Sequence, residues 1–214
     1  MSENILEKII KKKTQKIKEL QKTISVNNLA EKISLYKSYY NFKDKILNNL
    51  NNNRFSIIAE IKKASPSAGI IIENYDPVNI ANVYKANNAT CLSVLTEQDF
   101  FLGNLIHISK IKQKNNLPIL CKDFFVDKFQ VHLARSYGAD AILIILAGVT
   151  DEIAISLYEE AEKLKMSVIV EVHTVEEAKK ALKFQNAMIG INNRNLKTLK
   201  TDIKTTYDIC DVLS

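Results

Sequence analysis

The sequence predicts an α/β protein whose parallel sheet is built from alternating strands and helices. Short, almost entirely apolar runs begin near residue 56, and such runs are typical of strands that are buried on both faces. Longer segments with helical periodicity separate these runs, and capping or turn residues mark the boundaries. Strict alternation of this kind indicates a parallel sheet with helical crossovers.

The N-terminal part of the chain is predicted to be helical. Apolar residues recur near helical spacing at Leu6, Ile9, Ile10, Ile17 and Leu20. This pattern predicts an amphipathic helix from Glu3 to about Lys22, whose basic side faces water. The lysines of that side are Lys8, Lys11, Lys12, Lys13, Lys16 and Lys18. A helical stretch from Ala30 to Leu47 and a polar linker from Asn48 to Asn53 follow, so we predict a helical extension over residues 1–48 that packs on a domain of residues 49–214.

The first predicted strand, Ser56 to Ile61, leads into an acid and a base. Side chains alternate along a strand, so Glu60 and Lys62 point the same way, which is into a dry interior if the neighbouring isoleucines pack outward against helices. A structural ion pair is the alternative explanation of such a pair. The turn-forming residues Ser65 to Gly69 follow directly. Charges at the carboxyl end of a strand, beside a loop lined by hydroxyl groups, indicate a functional site.

The remaining elements follow in order and complete six strand–helix units. Strands are predicted at Ala89 to Leu95, Leu117 to Asp123, Asp140 to Leu146, Ser167 to His173 and Ala187 to Asn193. Helices are predicted after the N-cap Asp76, at Gly103 to Lys114, at about Asp127 to Tyr137 with Gly138 as C-terminal cap, at Thr150 to Lys165, after the capping box Thr174 to Glu177, and after the N-cap Asp202. Asp140 and Glu176 are expected to be surface or capping residues.

Polar residues gather at the predicted carboxyl ends of the strands, where a parallel sheet or barrel builds its site. They are Glu60 and Lys62 on the first strand, Lys122 and Asp123 on the third, Glu171 on the fifth, and Asn192, Asn193 and Arg194 on the sixth. Several charges at equivalent places cost too much free energy unless they pair around something polar. The pattern therefore favours a functional site over structural ion pairs.

Composition argues against several other classes of protein. There is no apolar run long enough for a transmembrane helix, and the first 20 residues are too polar for a signal peptide, so a cytoplasmic protein is expected. The three cysteines and three histidines lack metal-ligand spacing, which predicts reduced thiols and no metal site. The net charge of +6 leaves open a nucleic-acid-binding protein that uses the basic first helix, although no recognised module is present.

Five motifs occur in order along the chain. They are Glu60 to Ser67 (EIKKASPS), Ser93 to Thr96 (SVLT), Leu120 to Phe124 (LCKDF), Val170 to Val172 (VEV) and Gly190 to Leu196 (GINNRNL). Together they resemble the indole-3-glycerol phosphate synthase family. The resemblance implies a (β/α)8 barrel of the TIM type and a carbon–carbon lyase of tryptophan biosynthesis. The implied reaction converts 1-(2-carboxyphenylamino)-1-deoxyribulose 5-phosphate into indole-3-glycerol phosphate, with loss of carbon dioxide and water and with no cofactor or metal.

The resemblance also implies site residues, motif by motif. The catalytic set is Lys122, Glu171, Lys62, Glu60 and Asn192. The substrate-binding set is Ser65, Arg194, Phe101, Phe124, Leu143 and Leu196. Ser65 is expected near the phosphate, and the other five residues are expected to frame the anthranilate ring. For the phenylalanines and leucines of this set, packing in the core is the alternative.

The implied catalytic roles differ from residue to residue. Lys122 is expected to protonate the substrate carbonyl during ring closure, with Glu60 holding it in place. Glu171 is expected to be the base that assists dehydration. Lys62 is expected near the phosphate and in proton transfer, and Asn192 at the sugar hydroxyls.

Three positions depart from the family pattern, since Ala68 stands where a basic residue is common, Leu102 where an amide is common and Lys128 where a proline is common. The family's barrel has two strand–helix units beyond the six predicted here. We therefore expect part of a longer enzyme or a truncated product with little activity, the alternative being an inactive barrel that serves a structural or partner-binding role. The expected partners are a phosphorylated small molecule and either another tryptophan-pathway enzyme or the missing C-terminal segment, with neither nucleic acid nor membrane among them.

Overall fold

The computed structural model describes residues 4–36, 39–195 and 200–213, and it shows a parallel sheet flanked by helices. The sheet strands are β1 (Ile58–Ile61), β4 (Cys91–Leu95), β5 (Ile119–Lys122), β6 (Ala141–Ile145), β7 (Ser167–Val172) and β8 (Met188–Ile191). They lie in the order β1-β4-β5-β6-β7-β8, and every neighbouring pair is parallel. Two short strands, β2 (Ala64–Ser65) and β3 (Gly69–Ile70), form an antiparallel hairpin directly after β1.

The described residues contain three N-terminal helices and a helix after each parallel strand. The bounds are α1 (Ile5–Thr23), α2 (Val26–Leu35), α3 (Phe42–Asn51), α4 (Pro77–Ala86), α5 (Ile106–Lys112), α6 (Phe129–Ser136), α7 (Asp151–Lys163), α8 (Val175–Ala181) and α9 (Lys204–Leu213). A short 3-10 turn (Leu146–Gly148) follows β6. The α/β class and the strand–helix alternation are thus confirmed. Within the described ranges, the helices are all too short or too polar to cross a membrane.

The structure confirms the capping residues that the sequence predicted at two helix ends. Asp76 accepts hydrogen bonds from the amides of Val78 and Asn79 and so caps α4, with Pro77 at its first position. Gly138 has a φ of +97° immediately after α6, which is the left-handed conformation that ends many helices at glycine.

The predicted helix from Ala30 to Leu47 and the predicted linker after it are wrong. Helix α2 ends at Leu35, and α3 continues to Asn51 through the segment that was predicted as a linker. The side chain of Asn41 caps α3 by accepting a hydrogen bond of 3.1 Å from the amide of Asp44. Phe42, with no exposed surface, anchors this helix to the sheet, and tertiary packing therefore overrides the modest helix propensity of the asparagines.

Side chains of the central strands alternate between two apolar clusters. The outer cluster, which packs against helices α4 to α9, includes Leu92, Val94, Ile119, Cys121, Ile142, Ile144, Val168 and Val170. The inner cluster, on the opposite face, includes Leu120, Leu143, Ile145 and Ile169, and Phe42 of α3 packs into it. Apolar residues thus occupy both faces, as predicted, and polar side chains of the inner face come at the carboxyl ends of the strands.

Strand β1 is more exposed than the sequence predicted. Ile61 is fully buried, but Ile57 is 59% exposed and Ile58 is 38% exposed. Within the described part of the chain, β1 pairs with β4 and forms one edge of the sheet. The condition that both isoleucines pack outward against helices is therefore met by Ile61 and not by Ile57.

Asp140 is not a surface or capping residue. It is 1% exposed and accepts hydrogen bonds from Lys112 Nζ at 2.6 Å and from the amides of Tyr40 and Ile119 at 2.8 Å each. Burial raises the pKa of Asp140 and lowers the pKa of Lys112, and their mutual attraction offsets these shifts only in part. Glu176 is exposed, in agreement with the prediction.

The loop after β4 has a strained backbone at Leu102. This residue has a φ of +53°, which is costly for leucine and much less so for asparagine. Leucine at position 102, where the family commonly has an amide side chain, therefore strains the backbone. At the next residue, Gly103, a Cβ atom would collide with the carbonyl oxygens of Leu95 and Glu97.

We expect Leu102→Asn to raise the free energy of unfolding by about 1 kcal/mol, because asparagine tolerates the left-handed conformation. Leu102 is 42% exposed, so the substitution sacrifices little apolar burial. Leu182→Asn is the matched control, since Leu182 is 55% exposed but has a φ of −60°. Urea unfolding measures both variants, and a Leu102→Asn protein no more stable than the parent would contradict the explanation.

Candidate active site

A cavity of about 420 Å³ lies at the carboxyl ends of the parallel strands. Nine of the predicted site residues line it, namely Glu60, Lys62, Phe101, Lys122, Phe124, Leu143, Glu171, Asn192 and Arg194. A neighbouring cavity of about 540 Å³ shares Lys62, Phe101, Phe124 and Arg194 with the first and adds Ser65. The structure thus brings these ten residues to adjoining cavities, while Leu196 lies outside the described residues.

Lys122 and Glu171 form the polar centre of the first cavity. Lys122 ends β5, Glu171 is the fifth residue of β7, and Lys122 Nζ lies 3.2 Å from Glu171 Oε2. The other carboxylate oxygen, Oε1, accepts a hydrogen bond of 3.1 Å from Asn192 Nδ2. Asn192 follows β8 directly, and β8 pairs with β7 so that Glu171 faces Gly190. The parallel register therefore places an ammonium, a carboxylate and an amide within reach of one ligand.

Glu171 carries a negative charge in a nearly closed environment, with its side chain 10% exposed. Burial raises the pKa of this carboxyl, but the contacts with His173, Lys122 and Asn192 outweigh burial and lower the pKa to about 2. The group is consequently ionised at neutral pH and can accept a proton during a reaction.

His173 is a neighbour of Glu171 that the sequence analysis missed. Its Nε2 atom lies 3.3 Å from Glu171 Oε1 in an ion pair without hydrogen-bond alignment, and its Nδ1 atom lies 3.4 Å from Glu177 Oε2. Burial lowers the pKa of His173, but the two carboxylates outweigh burial and raise it to about 9. Side chains two residues apart on a strand point the same way, which is the rule that paired Glu60 with Lys62. The same rule applied to residues 171 and 173 would have predicted His173 as a neighbour of Glu171.

The capping box predicted at Thr174 is present in altered form, because Glu177 bonds to a different amide from the one expected. Thr174 accepts a hydrogen bond from the amide of Glu177, as predicted. The Glu177 carboxylate, however, accepts a hydrogen bond of 2.7 Å from the amide of His173 and not from that of Thr174. Glu177 therefore ties the start of α8 to the backbone and the ring of His173.

Glu60 and Lys62 form an ion pair, as predicted from their spacing. The pair is not in a dry place, since the side chains are 36% and 31% exposed. The carboxylate that contacts Lys122 is Glu171, whereas Glu60 contacts Lys62. The expectation that Glu60 holds Lys122 is thus corrected, because the Glu60 carboxylate pairs with Lys62, two residues further along the chain.

Aromatic rings form one wall of the cavities. Phe101, in the loop after β4, and Phe124, after β5, have ring centroids 6.0 Å apart and both line the two cavities. Ser65 lies in the hairpin whose turn ends at Gly69, with a φ of +67°, and its hydroxyl accepts a hydrogen bond from the amide of Ala68. The hairpin and the aromatic wall therefore border the same open space.

The lysines of α1 do not all face water. Lys13 is 7% exposed and lies 2.7 Å from Asp123 Oδ1, while Lys12 and Lys16 lie 3.4 and 3.9 Å from the carboxylate of Asp99. The expected solvated basic face is thus partly wrong, because carboxylates that are distant in sequence meet the helix. These contacts also remove part of the basic surface that a nucleic acid would need.

The fold and the site define an α/β enzyme that holds an acid and a base at the carboxyl ends of parallel strands. Among the residues with described positions, no group of three or more His, Cys, Asp or Glu side chains could hold a metal ion. A sequence model of the family described as "Indole-3-glycerol phosphate synthase" matches residues 6–214. The chain belongs to the indole-3-glycerol phosphate synthase family.

Individual relatives agree with this assignment. A protein of Prochlorococcus marinus (strain MIT 9301) named indole-3-glycerol phosphate synthase is 44% identical over 209 residues, covering 97% of this chain and 70% of its own length. A protein of the same name from Acidithiobacillus ferrooxidans (strain ATCC 53993 / BNL-5-31) is 41% identical over 206 residues, covering 96% of this chain and 78% of its own length.

A solved structure with a different activity shares the fold. The crystal structure of 3-keto-L-gulonate-6-phosphate decarboxylase from Vibrio cholerae O1 biovar El Tor str. N16961 matches with a TM-score of 0.54 and 14% identity. The match covers 73% of this chain and 72% of that one. At this identity the likeness concerns the fold alone.

Proposed function

We propose that this chain is part of a cytoplasmic, cofactor-independent indole-3-glycerol phosphate synthase, and that its six strand–helix units belong to the (β/α)8 barrel of the family. Its substrate is 1-(2-carboxyphenylamino)-1-deoxyribulose 5-phosphate, and the products are indole-3-glycerol phosphate, carbon dioxide and water. The observation that carries the proposal is the contact of Lys122 with Glu171 at 3.2 Å, in a cavity that also contains Phe101, Phe124 and Asn192. An ammonium donor beside an ionised carboxylate suits a reaction that adds one proton and removes another.

Ring closure needs a proton on the substrate carbonyl. The ring carbon that bears the carboxylate attacks the carbonyl carbon of the sugar chain, and the carbonyl oxygen becomes a hydroxyl. Lys122 donates this proton from the end of β5, and its contact with Glu171 fixes the position of the ammonium. The carbon–carbon bond to the carboxylate then breaks, and carbon dioxide leaves as the ring regains aromaticity.

Dehydration needs a base. Glu171 accepts a proton from the cyclic intermediate, the carbon–oxygen bond breaks, and the departing hydroxide takes a proton from the Lys62 ammonium to leave as water, which completes the indole ring. The low pKa of this carboxyl, about 2, keeps it ionised before the step, and Asn192 and His173 hold its Oε1 side. The Oε2 side faces Lys122, so the acid and the base share one charge network.

Substrate binding follows from the walls of the cavities. Lys62 and Ser65 bind the phosphate end beside the hairpin, and Asn192 binds the sugar hydroxyls. The anthranilate ring packs against the apolar edge that Phe101 and Phe124 form together, with their ring centroids 6.0 Å apart. Leu143 lines the floor, and Arg194 lies where it can pair with the substrate carboxylate before that group leaves.

The test is conversion of the synthetic substrate by the purified protein. Indole fluorescence reports product against a low background, because the chain contains no tryptophan. Carbon dioxide release in equal amount identifies the decarboxylation. A folded protein that yields neither signal at saturating substrate, alone or with the two further strand–helix units of the family supplied in trans, would overturn the proposal. The variant Glu176→Gln, at an exposed position, is the control that retains the parent activity.

We expect Glu171→Gln to lower kcat by about 100-fold or more, with KM changed less than about threefold, because the amide keeps the shape but cannot accept a proton. Decarboxylation precedes dehydration, so a single turnover is expected to release carbon dioxide well before indole fluorescence rises. If carbon dioxide release and indole fluorescence were delayed equally, or if KM rose at unchanged kcat, Glu171 would not be the base of the dehydration step. Glu176→Gln is again the matched variant.

A further inference from the structure

We infer that Lys13 is a positioning residue of the active site, through which helix α1 fixes the two loops that carry the aromatic wall. The kinetic part of the inference rests on the proposed function, whereas the structural part does not. Lys13 belongs to a helix outside the sheet, and its ammonium reaches two carboxylates that follow β4 and β5.

The first observation is the burial of this charge cluster. Lys13 Nζ lies 2.7 Å from Asp123 Oδ1 and 3.8 Å from Glu97 Oε1. The three side chains are 6%, 9% and 3% exposed, respectively. One ammonium therefore serves two buried carboxylates, and bulk solvent screens these charges only weakly.

The second observation concerns Asp123, which organises the loop after β5. Its Oδ1 atom accepts a hydrogen bond of 2.8 Å from the amide of Phe124, and its Oδ2 atom accepts one of 2.6 Å from the hydroxyl of Thr96. Asp123 lies between Lys122 and Phe124 in the chain, so its position determines that of both neighbours. Lys13 thus acts on the acid and on one aromatic ring through a single contact.

The third observation concerns Glu97, which organises the loop after β4. Its carboxylate accepts hydrogen bonds from the amides of Asp99, Phe100 and Phe101 at 3.2, 2.7 and 3.2 Å. The loop then returns, with the amide of Gly103 donating a 2.7 Å hydrogen bond to the Glu97 carbonyl oxygen. Glu97 therefore holds the segment that presents Phe101 to the cavity.

Removing the ammonium has a defined physical consequence. Two carboxylates would remain buried near each other without their shared cation, and repulsion would displace one or the other. Such a displacement shifts the loops of Phe101 and Phe124 away from the geometry that the ring-closure step needs. A displacement near 1 Å at a reacting centre costs about 100-fold in rate.

The structural part is tested by hydrogen exchange of the ligand-free protein. We expect Lys13→Met to speed amide exchange in residues 98–103 and at Phe124 by about tenfold or more, while exchange in β6 and β7 stays at the parent rate. Lys12→Met is the matched control, because Lys12 contacts the same loop through Asp99 but its side chain is 56% exposed. Unchanged exchange in the loop of a folded Lys13→Met protein would overturn the inference, whatever the enzyme activity.

The kinetic part compares three variants by indole fluorescence. Lys13→Met is expected to lower kcat/KM by about 100-fold, Lys13→Arg to recover most of that loss because it retains the cation, and Lys12→Met to stay within about twofold of the parent. A folded Lys13→Met protein within threefold of the parent would reduce Lys13 to a purely structural role.

A fourth variant keeps the inference testable if Lys13→Met fails to fold. Glu97→Gln leaves the shorter contact between Lys13 and Asp123 intact. It weakens only the hydrogen bonds that the Glu97 carboxylate accepts from the loop of Phe101. We expect KM to rise about tenfold with kcat nearly unchanged, since Phe101 contacts the ring in the ground state as well as in the transition state. A parent-like KM in this variant would overturn the inference.

Discussion

Lys122→Met is expected to lower kcat by about 1,000-fold while the fold stays intact. Methionine keeps the unbranched shape of the lysine stem but has no proton to donate, and general acid catalysis contributes about 100- to 10,000-fold. Lys122 is 28% exposed, so its loss leaves no large void. Glu171 keeps its contacts with His173 and Asn192, and the remaining carboxylate is therefore not left without partners.

Two further variants separate proton donation from charge. Lys122→Arg keeps a cation that holds its proton far more tightly, so we expect its kcat to be nearly as low as that of Lys122→Met. Lys128→Met, at an exposed position in the same loop, is expected to retain parent activity. Indole fluorescence gives kcat, and circular dichroism confirms folding. A Lys122→Met enzyme with near-parent turnover would exclude Lys122 from the mechanism.

Asp140→Ala is expected to lower the free energy of unfolding by about 3–5 kcal/mol, the usual cost of removing one partner from a buried ion pair. Lys112, with its side chain 2% exposed, would be left buried without its carboxylate partner. The amides of Tyr40 and Ile119 would also lose their acceptor. Such a loss is a large fraction of the stability of an ordinary domain, so the variant should be handled at low temperature.

The comparison with Lys112→Met and with the double variant distinguishes pairing from packing. The double variant removes both charges and is expected to be more stable than Asp140→Ala alone, which a thermodynamic cycle measures directly. Glu176→Ala, at an exposed position in the first turn of α8, is expected to cost less than about 1 kcal/mol. A similarly small loss for Asp140→Ala would show that the buried cluster contributes little.

The sequence predicted the central sheet because its physical basis is local. Runs such as Ile119–Lys122 are apolar until their last residue, and alternation along the strand identifies the face on which that residue lies. The same rule placed Glu171 beside the ends of neighbouring strands. Bounds were predicted one or two residues too long, because buried residues that flank a strand, such as Thr90, resemble strand residues in composition.

The positions that sequence reasoning missed depend on contacts between distant residues. A lysine on an amphipathic helix is ordinarily solvated, and only the approach of Asp123 and Glu97 makes Lys13 a buried residue. The hairpin of β2 and β3 has strands of two residues each, which are too short for any periodicity. His173 differs from these cases, since alternation applied to the end of β7 would have found it.

The packing of Phe42 against the inner face of the sheet has a consequence for how the protein folds during synthesis. Lys43, the next residue, donates its amide to the Ser167 hydroxyl across 124 positions of sequence. At ordinary rates of translation, about 6–25 s separate the appearance of these two residues. Over that interval the phenylalanine has only part of its final surroundings, because Leu143 and Ile169 are still to be made. Helix α3 therefore completes its packing late, after β6 and β7 have been made.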